Sequence, residues 1–89
     1  MKSRATARFW ELFQRLPANI QDEAREAYKL FMLDPKHPGL QFKRVSQKRP
    51  VYSARVTREY RALGVLQGDG ITWYWIGNHS DYDRMLAGR

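Results

Sequence analysis

An 89-residue chain in which 43% of the residues are hydrophobic can bury one core but not two, so a single domain over residues 1–89 is expected. It has no cysteine and only two histidines, His37 and His79, which excludes a disulfide framework, thiol catalysis and cysteine-bearing zinc sites. Neither a metal nor a small-molecule cofactor is expected, and the net charge of +7 makes a polyanion the first partner to consider.

The opening "MKSRATARFWELF" is basic, and its apolar stretch is broken by Glu11, Gln14 and Arg15. It reads as neither a secretory signal nor a membrane span, so the expected location is the cytoplasm, with no membrane partner. Phe9, Leu12, Phe13 and Leu16 then follow i, i+3, i+4, i+7 spacing, which predicts a first helix ending at Pro17. Ile20, Ala24, Ala27, Tyr28 and Phe31 predict a second. Pro17 suits its first turn, or Asn19 its N-cap with Asp22 three residues on. Asp34-Pro35 ends it, because a residue before proline is pushed out of the helical region. Helices this close in sequence should form an antiparallel hairpin. "DPKHPGL" is turn-rich, and places His37 in an exposed loop.

From residue 41 the pattern changes to period two. Residues 41–46 predict a short strand, and "VYSARVTR" at 51–58 puts Tyr52, Ala54 and Val56 on one face with Ser53, Arg55 and Thr57 on the other. "YRALGVLQ" sets Arg61, Leu63 and Val65 opposite Tyr60, Ala62 and Leu66, "QGDG" signals a hairpin turn, and "ITWYWIG" is the last strand. In an unbroken strand Trp73 and Trp75 share one face, expected to pack on Phe9, Phe13, Tyr28 and Phe31, while Tyr74 joins the opposite face. Ser80 then reads as an N-cap with Asp83 at N3, starting a short helix that Met85 and Leu86 anchor. The fold class is α+β: an N-terminal helix hairpin on one face of a three- or four-stranded antiparallel sheet, with a short C-terminal helix. The other sheet face should carry arginines, partly open to solvent.

Residues 41–61 hold Lys43, Arg44, Lys48, Arg49, Arg55, Arg58 and Arg61 against the single acid Glu59, which is +6 of the total +7. Arginine outnumbers lysine there, and its planar fork of donors meets phosphate bidentately where lysine offers a point charge. The segment therefore points to nucleic acid. An acidic protein partner and a merely solvated basic face remain open.

The ordered set "DP...PGL", "KRV", "YSARVTREYRALGVL" and "WYWIGNHSDYDRML", within residues 9–86, resembles the RelE/ParE superfamily of type II toxin-antitoxin toxins, nearer its RelE-like branch. The resemblance implies a ribosome-dependent endonuclease that cuts messenger RNA in the ribosomal A site and is held inactive by a cognate antitoxin. Arg55 and Arg61 match the family's two strand arginines, and His79 and Tyr82 match its C-terminal pair in kind. Lys43 and Arg44 correspond loosely to the basic strand before them, and Lys48, Arg49 and Arg58 extend the implied RNA-binding set. Two departures stand out: the family's first β-strand reads as missing or vestigial, and Asp81 and Asp83 occupy positions where many members carry arginines. A ParE-like gyrase inhibitor acting by binding remains open, as does a catalytically degenerate member that only binds antitoxin or nucleic acid. The antitoxin should offer acidic and apolar residues to the groove between sheet and helices.

Metal-independent RNA cleavage needs a proton taken from the 2′-hydroxyl, stabilisation of the phosphorane, and a proton given to the leaving 5′-oxygen. Arg55 or Arg61 suits the second task, unless Arg55 pairs internally with Asp81 or Glu59. His79 suits proton transfer, or caps backbone. Tyr82 suits base chemistry beside cations, stacking on a splayed base, or plain packing.

Overall fold

The computed structural model of the protein describes residues 1–87. The chain runs β1 (Lys2–Ala5), α1 (Ala7–Gln14), α2 (Ala18–Leu33), a 3₁₀ turn (Pro38–Leu40), β2 (Lys43–Arg44), β3 (Val51–Arg55), β4 (Tyr60–Gln67), β5 (Gly70–Asn78) and α3 (His79–Ala87). The strands form one sheet in the order β1-β5-β4-β3-β2, antiparallel except for the parallel β1–β5 pair. The helix hairpin, the antiparallel strands and the final helix lie where the sequence pattern puts them.

The N-terminal strand is a correction. "KSRA" carries no run of apolar residues, yet it forms a parallel edge, with Ser3 opposite Ile71 and Ala5 opposite Trp73. Its signal is non-local: Lys2 N–H donates to Asp69 O, Thr6 N–H to Trp73 O, and the Trp73 indole N–H to Ser3 Oγ. Thr6 then turns the chain into α1 as a side-chain N-cap, its Oγ1 accepting from Phe9 N–H at 3.1 Å. The α1–α2 connection is held by Gln21, whose side-chain amide donates to Leu16 O at 3.1 Å in the connection and to Gln14 O at 3.4 Å at the end of α1. Pro17 itself is the N-cap of α2, so Asn19 lies inside the helix.

Two apolar clusters sandwich the sheet. On the hairpin side, Phe13, Ala24 and Phe31 pack with Leu40, Ala54, Ala62, Ile71, Trp73 and Ile76. Phe31 meets Trp73 edge to face at 5.3 Å between ring centroids. On the other side, Val51, Leu63, Trp75 and Tyr82 form a second cluster, on which Met85 and Leu86 of α3 pack. That face is therefore not simply open: α3 covers part of it.

The two tryptophans differ from expectation. Leu63 pairs with Trp75 but Gly64 pairs with Trp73, so β5 carries one residue more than β4 between these pairs. This β-bulge at Tyr74 reverses the parity of the strand, turning Trp73 to the helix hairpin and Trp75 to α3. Tyr74 packs on the Trp75 side, and Tyr28 is 44% exposed rather than part of the core.

Candidate functional site

Cross-strand register brings three of the basic residues, Lys43, Arg55 and Arg61, into two neighbouring rows. Lys43, Ser53, Leu63 and Trp75 lie side by side across β2, β3, β4 and β5; Arg55, Arg61 and Gly77 form the next row. Alternation turns these side chains to the face that α3 partly covers, the face of Leu63 and Trp75. Arg55 and Arg61 are thus direct cross-strand partners of like charge, an arrangement that destabilises a sheet unless something else compensates it.

Arg61 is only 8% exposed. Its Nη1 donates to Ser53 Oγ at 3.2 Å and its Nη2 to Gln41 Oε1, and its guanidinium carbon sits 5.5 Å from the centroid of the Tyr82 ring. Both acceptors are neutral. Among the described residues Arg61 has no carboxylate partner, and neither does Arg55. An internal pair between Arg55 and Asp81 or Glu59 is accordingly not formed: Asp81 engages Arg84 instead. A buried cation without a counter-charge is costly, and such groups are ordinarily paired or supplied with an anion from outside.

The start of α3 frames the same spot. Asn78, not Ser80, caps it: Asn78 Oδ1 accepts from Asp81 N–H at 2.8 Å, so the helix begins at His79. His79 N–H donates to Glu59 O at 2.7 Å, which ties the helix start to the β3–β4 turn. The His79 ring lies 5.4 Å from the Tyr82 ring, and its Nδ1 is 3.3 Å from Asp83 Oδ2. Tyr82 is 6% exposed, with its ring 6.5 Å from that of Trp75. Arg61, Tyr82 and His79 therefore form one contiguous stack in which Arg61 and Tyr82 are buried and the imidazole side chain is 44% exposed. Asp83 faces His79, and Asp81 faces Arg84, so both acids at this end are engaged within α3.

The remaining basic residues divide. Lys43 is exposed and stands beside Ser53, on the side of Arg61. Arg58 lies in the β3–β4 turn, next to Glu59, which holds His79. Arg44 faces the other way, and its guanidinium donates to Ser46 O at 2.8 Å and Gln47 O at 3.4 Å, bracing the β2–β3 loop. Lys48 and Arg49 sit in that loop, at the end of β3 opposite Arg55, roughly 13 Å away along the strand. His37 is an exposed loop residue whose Nδ1 accepts from Gly39 N–H. The residues that sequence pattern alone did not bring forward are Gln41 and Ser53, which hold Arg61. Ser53 was legible as a strand position on the face of Arg55, whereas Gln41 is twenty residues from its partner.

A groove of about 450 Å³ opens on the opposite side of the sheet, between the helix hairpin and the strands. Its floor is apolar, with Phe9, Phe13, Phe31 and Trp73, and Arg4, Arg25, Lys29 and Arg55 contribute to its lining with no acid among them. Trp10 and Tyr28, at 51% and 44% exposure, also line it. Among the described residues no cluster of histidine, aspartate and glutamate could hold a metal ion, and no helix is long and apolar enough to cross a membrane.

The fold recurs in solved toxins. A YoeB/ParE toxin from Agrobacterium tumefaciens aligns over 89% of this chain and 99% of its own, with a TM-score of 0.69 and 18% identity. YafQ from E. coli gives a TM-score of 0.72 at 9% identity, over 91% of this chain and 96% of its own. The toxin fold in a RelB-RelE antitoxin-toxin complex from Methanococcus jannaschii gives 0.72 at 17% identity, over 90% of this chain and 95% of its own. A comparison with curated protein sequences found no match. The sequence profile of the ParE-like toxin domain matches residues 18–84, from the start of α2 to the middle of α3, and the chain therefore belongs to the ParE-like toxin domain family.

Proposed function

We propose that this protein is the toxin of a type II toxin-antitoxin pair and that it cleaves messenger RNA in the ribosomal A site without a metal. The observation that carries the reading is Arg61: a buried guanidinium held only by neutral acceptors, directly opposite Arg55 and against the Tyr82 ring that His79 also touches. A phosphodiester supplies the missing negative charge. As the 2′-hydroxyl attacks, that phosphate gains further charge, and Arg61 and Arg55 are aimed from rigid strands at the place where it develops. One such preorganised donor is worth about 3–4 kcal/mol of barrier by analogy with oxyanion holes.

His79 takes the proton from the 2′-hydroxyl as the 2′-oxygen bonds to phosphorus, and the P–O5′ bond breaks with a proton returned from the imidazolium to the leaving 5′-oxygen, which leaves a 2′,3′-cyclic phosphate. His79 Nδ1 lies 3.3 Å from Asp83 Oδ2, and in the tautomer that carries its proton on Nδ1 the ring presents Nε2 as the base, the arrangement by which a carboxylate orients a catalytic imidazole. The Tyr82 ring serves as the floor beneath the Arg61 guanidinium. Lys43 and Arg58 bind the message on either side. A cognate antitoxin occupies the groove on the helix side, placing apolar side chains on Phe9, Phe13 and Trp73 and acidic ones near Arg4.

The test is ribosomes programmed with a defined message, incubated with purified protein, followed by mapping of RNA ends. Cuts at fixed codon positions that disappear in Arg61→Ala and in His79→Gln are expected. Intact message with correctly folded protein overturns the proposal. Inhibition of gyrase supercoiling that survives His79→Gln would establish the binding-only alternative.

A further inference from the structure

We infer that Gln41 is a positioning residue that holds the Arg61 guanidinium in place without neutralising it, leaving its full charge for an external phosphate; this rests on the reading of Arg61 as a phosphate-binding group. Gln41 is the one non-glycine residue among those described with a positive φ, at φ 46° and ψ 42°. It closes the 3₁₀ turn Pro38–Leu40, its N–H donating to Pro38 O. Glycine or asparagine adopts this left-handed backbone most readily, and glutamine has no local reason to be there. Its side chain supplies the reason, because Oε1 accepts from Arg61 Nη2 while Ser53 Oγ accepts from Nη1. Strain held by the surrounding structure is a mark of a functional position.

The chemistry of the partner matters as much as its place. A glutamate would make a stronger bond to Arg61 and would cancel its charge; a glutamine fixes the same geometry and leaves the charge uncompensated. Tyr82 lies beneath the guanidinium and Ser53 beside it, on the sheet face that Lys43 and Arg55 share by register. The cradle thus fixes a phosphate position before any ligand arrives.

Nitrogen-15 NMR of the arginine side chains, with inorganic pyrophosphate as the probe, tests this. In the natural protein the Arg61 Nη signals, assigned by their loss in Arg61→Lys, should be resolved through hindered rotation and should shift on titration. Gln41→Gly suits the backbone and should keep the melting temperature, yet its Arg61 signals should merge and pyrophosphate affinity should fall about ten- to a hundredfold, the scale of a hydrogen bond to a charged group. Gln41→Glu should keep the resolved signals and lose the pyrophosphate response. A Gln41→Glu protein that binds pyrophosphate like the natural one, or a natural protein whose Arg61 ignores the probe, overturns the inference. Natural protein that responds through Arg61 but leaves message uncut removes the nuclease reading while Gln41 keeps its role. Cleavage undiminished in both variants removes the role of Gln41 alone.

Discussion

Arg55 and Arg61 stand directly opposite one another with no acid between them, so each raises the cost of the other in the folded state. Arg55→Ala should therefore stabilise the protein by about 0.2–1 kcal/mol, read as a rise in the midpoint of urea unfolding, while weakening single-stranded RNA binding. A fall in stability would mean that Arg55 has an internal partner after all. Tyr82 permits a cleaner separation of roles. If its ring is the floor for Arg61, Tyr82→Phe keeps the cation–π contact and the packing on Trp75, and should leave RNA cleavage within about twofold, since a rate change of that size is under half a kcal/mol. Tyr82→Leu removes the aromatic face and should abolish cleavage. Loss of activity in Tyr82→Phe would give the hydroxyl a direct role in proton transfer instead.

At the level of elements, β4 and β5 meet through two glycines, each covered by a tryptophan from the bulged strand. A Cβ on Gly64 would lie 2.9 Å from Trp73 and Ile71 side-chain atoms, and one on Gly77 would lie 2.7 Å from the Trp75 indole. Gly64→Ala and Gly77→Ala should each destabilise by about 1–3 kcal/mol, measured by denaturant unfolding, as overpacking does in a filled core. Only the second should also disturb Arg61, which shares its row with Gly77. This pairing marks the boundary of what the sequence reveals. The alternation of "VYSARV" correctly sorts Tyr52, Ala54 and Val56 from Ser53 and Arg55, because a strand's period of two is local. The helix hairpin is legible for the same reason. The faces of Trp73 and Trp75 are not, since a bulge is a miscount between two strands and neither strand alone carries it. β1 reads as missing or vestigial because a polar parallel edge strand exists only through β5, and Gln41 stays hidden because its backbone conformation goes with a partner on a distant strand.

For the molecule as a whole, the +6 concentrated in residues 41–61 does not form one patch. Lys43, Arg55 and Arg61 share a face and Arg58 lies in the turn at its rim, but Arg44 braces a loop from the other side and Lys48 and Arg49 lie at the far end of β3. On the proposed reading, a strand of RNA lying beside His79 would reach three or four of the seven cations. Each neutralised phosphate of a single strand contributes about −0.7 to the slope of log affinity against log salt, so the slope should be about −2.1 to −2.8 rather than the −4.9 or so that seven contacts would give. Individual substitutions then distinguish the faces: Lys43→Ala should reduce the slope by about 0.7, and Arg44→Ala should leave it unchanged while loosening the β2–β3 loop. Equal effects of the two would mean that RNA wraps both sides of the sheet. Because the groove on the helix side has its own cations in Arg4, Arg25 and Lys29, such wrapping would place message and antitoxin in competition for one surface, whereas the slopes expected here leave each a face of its own, with Arg55 at the border.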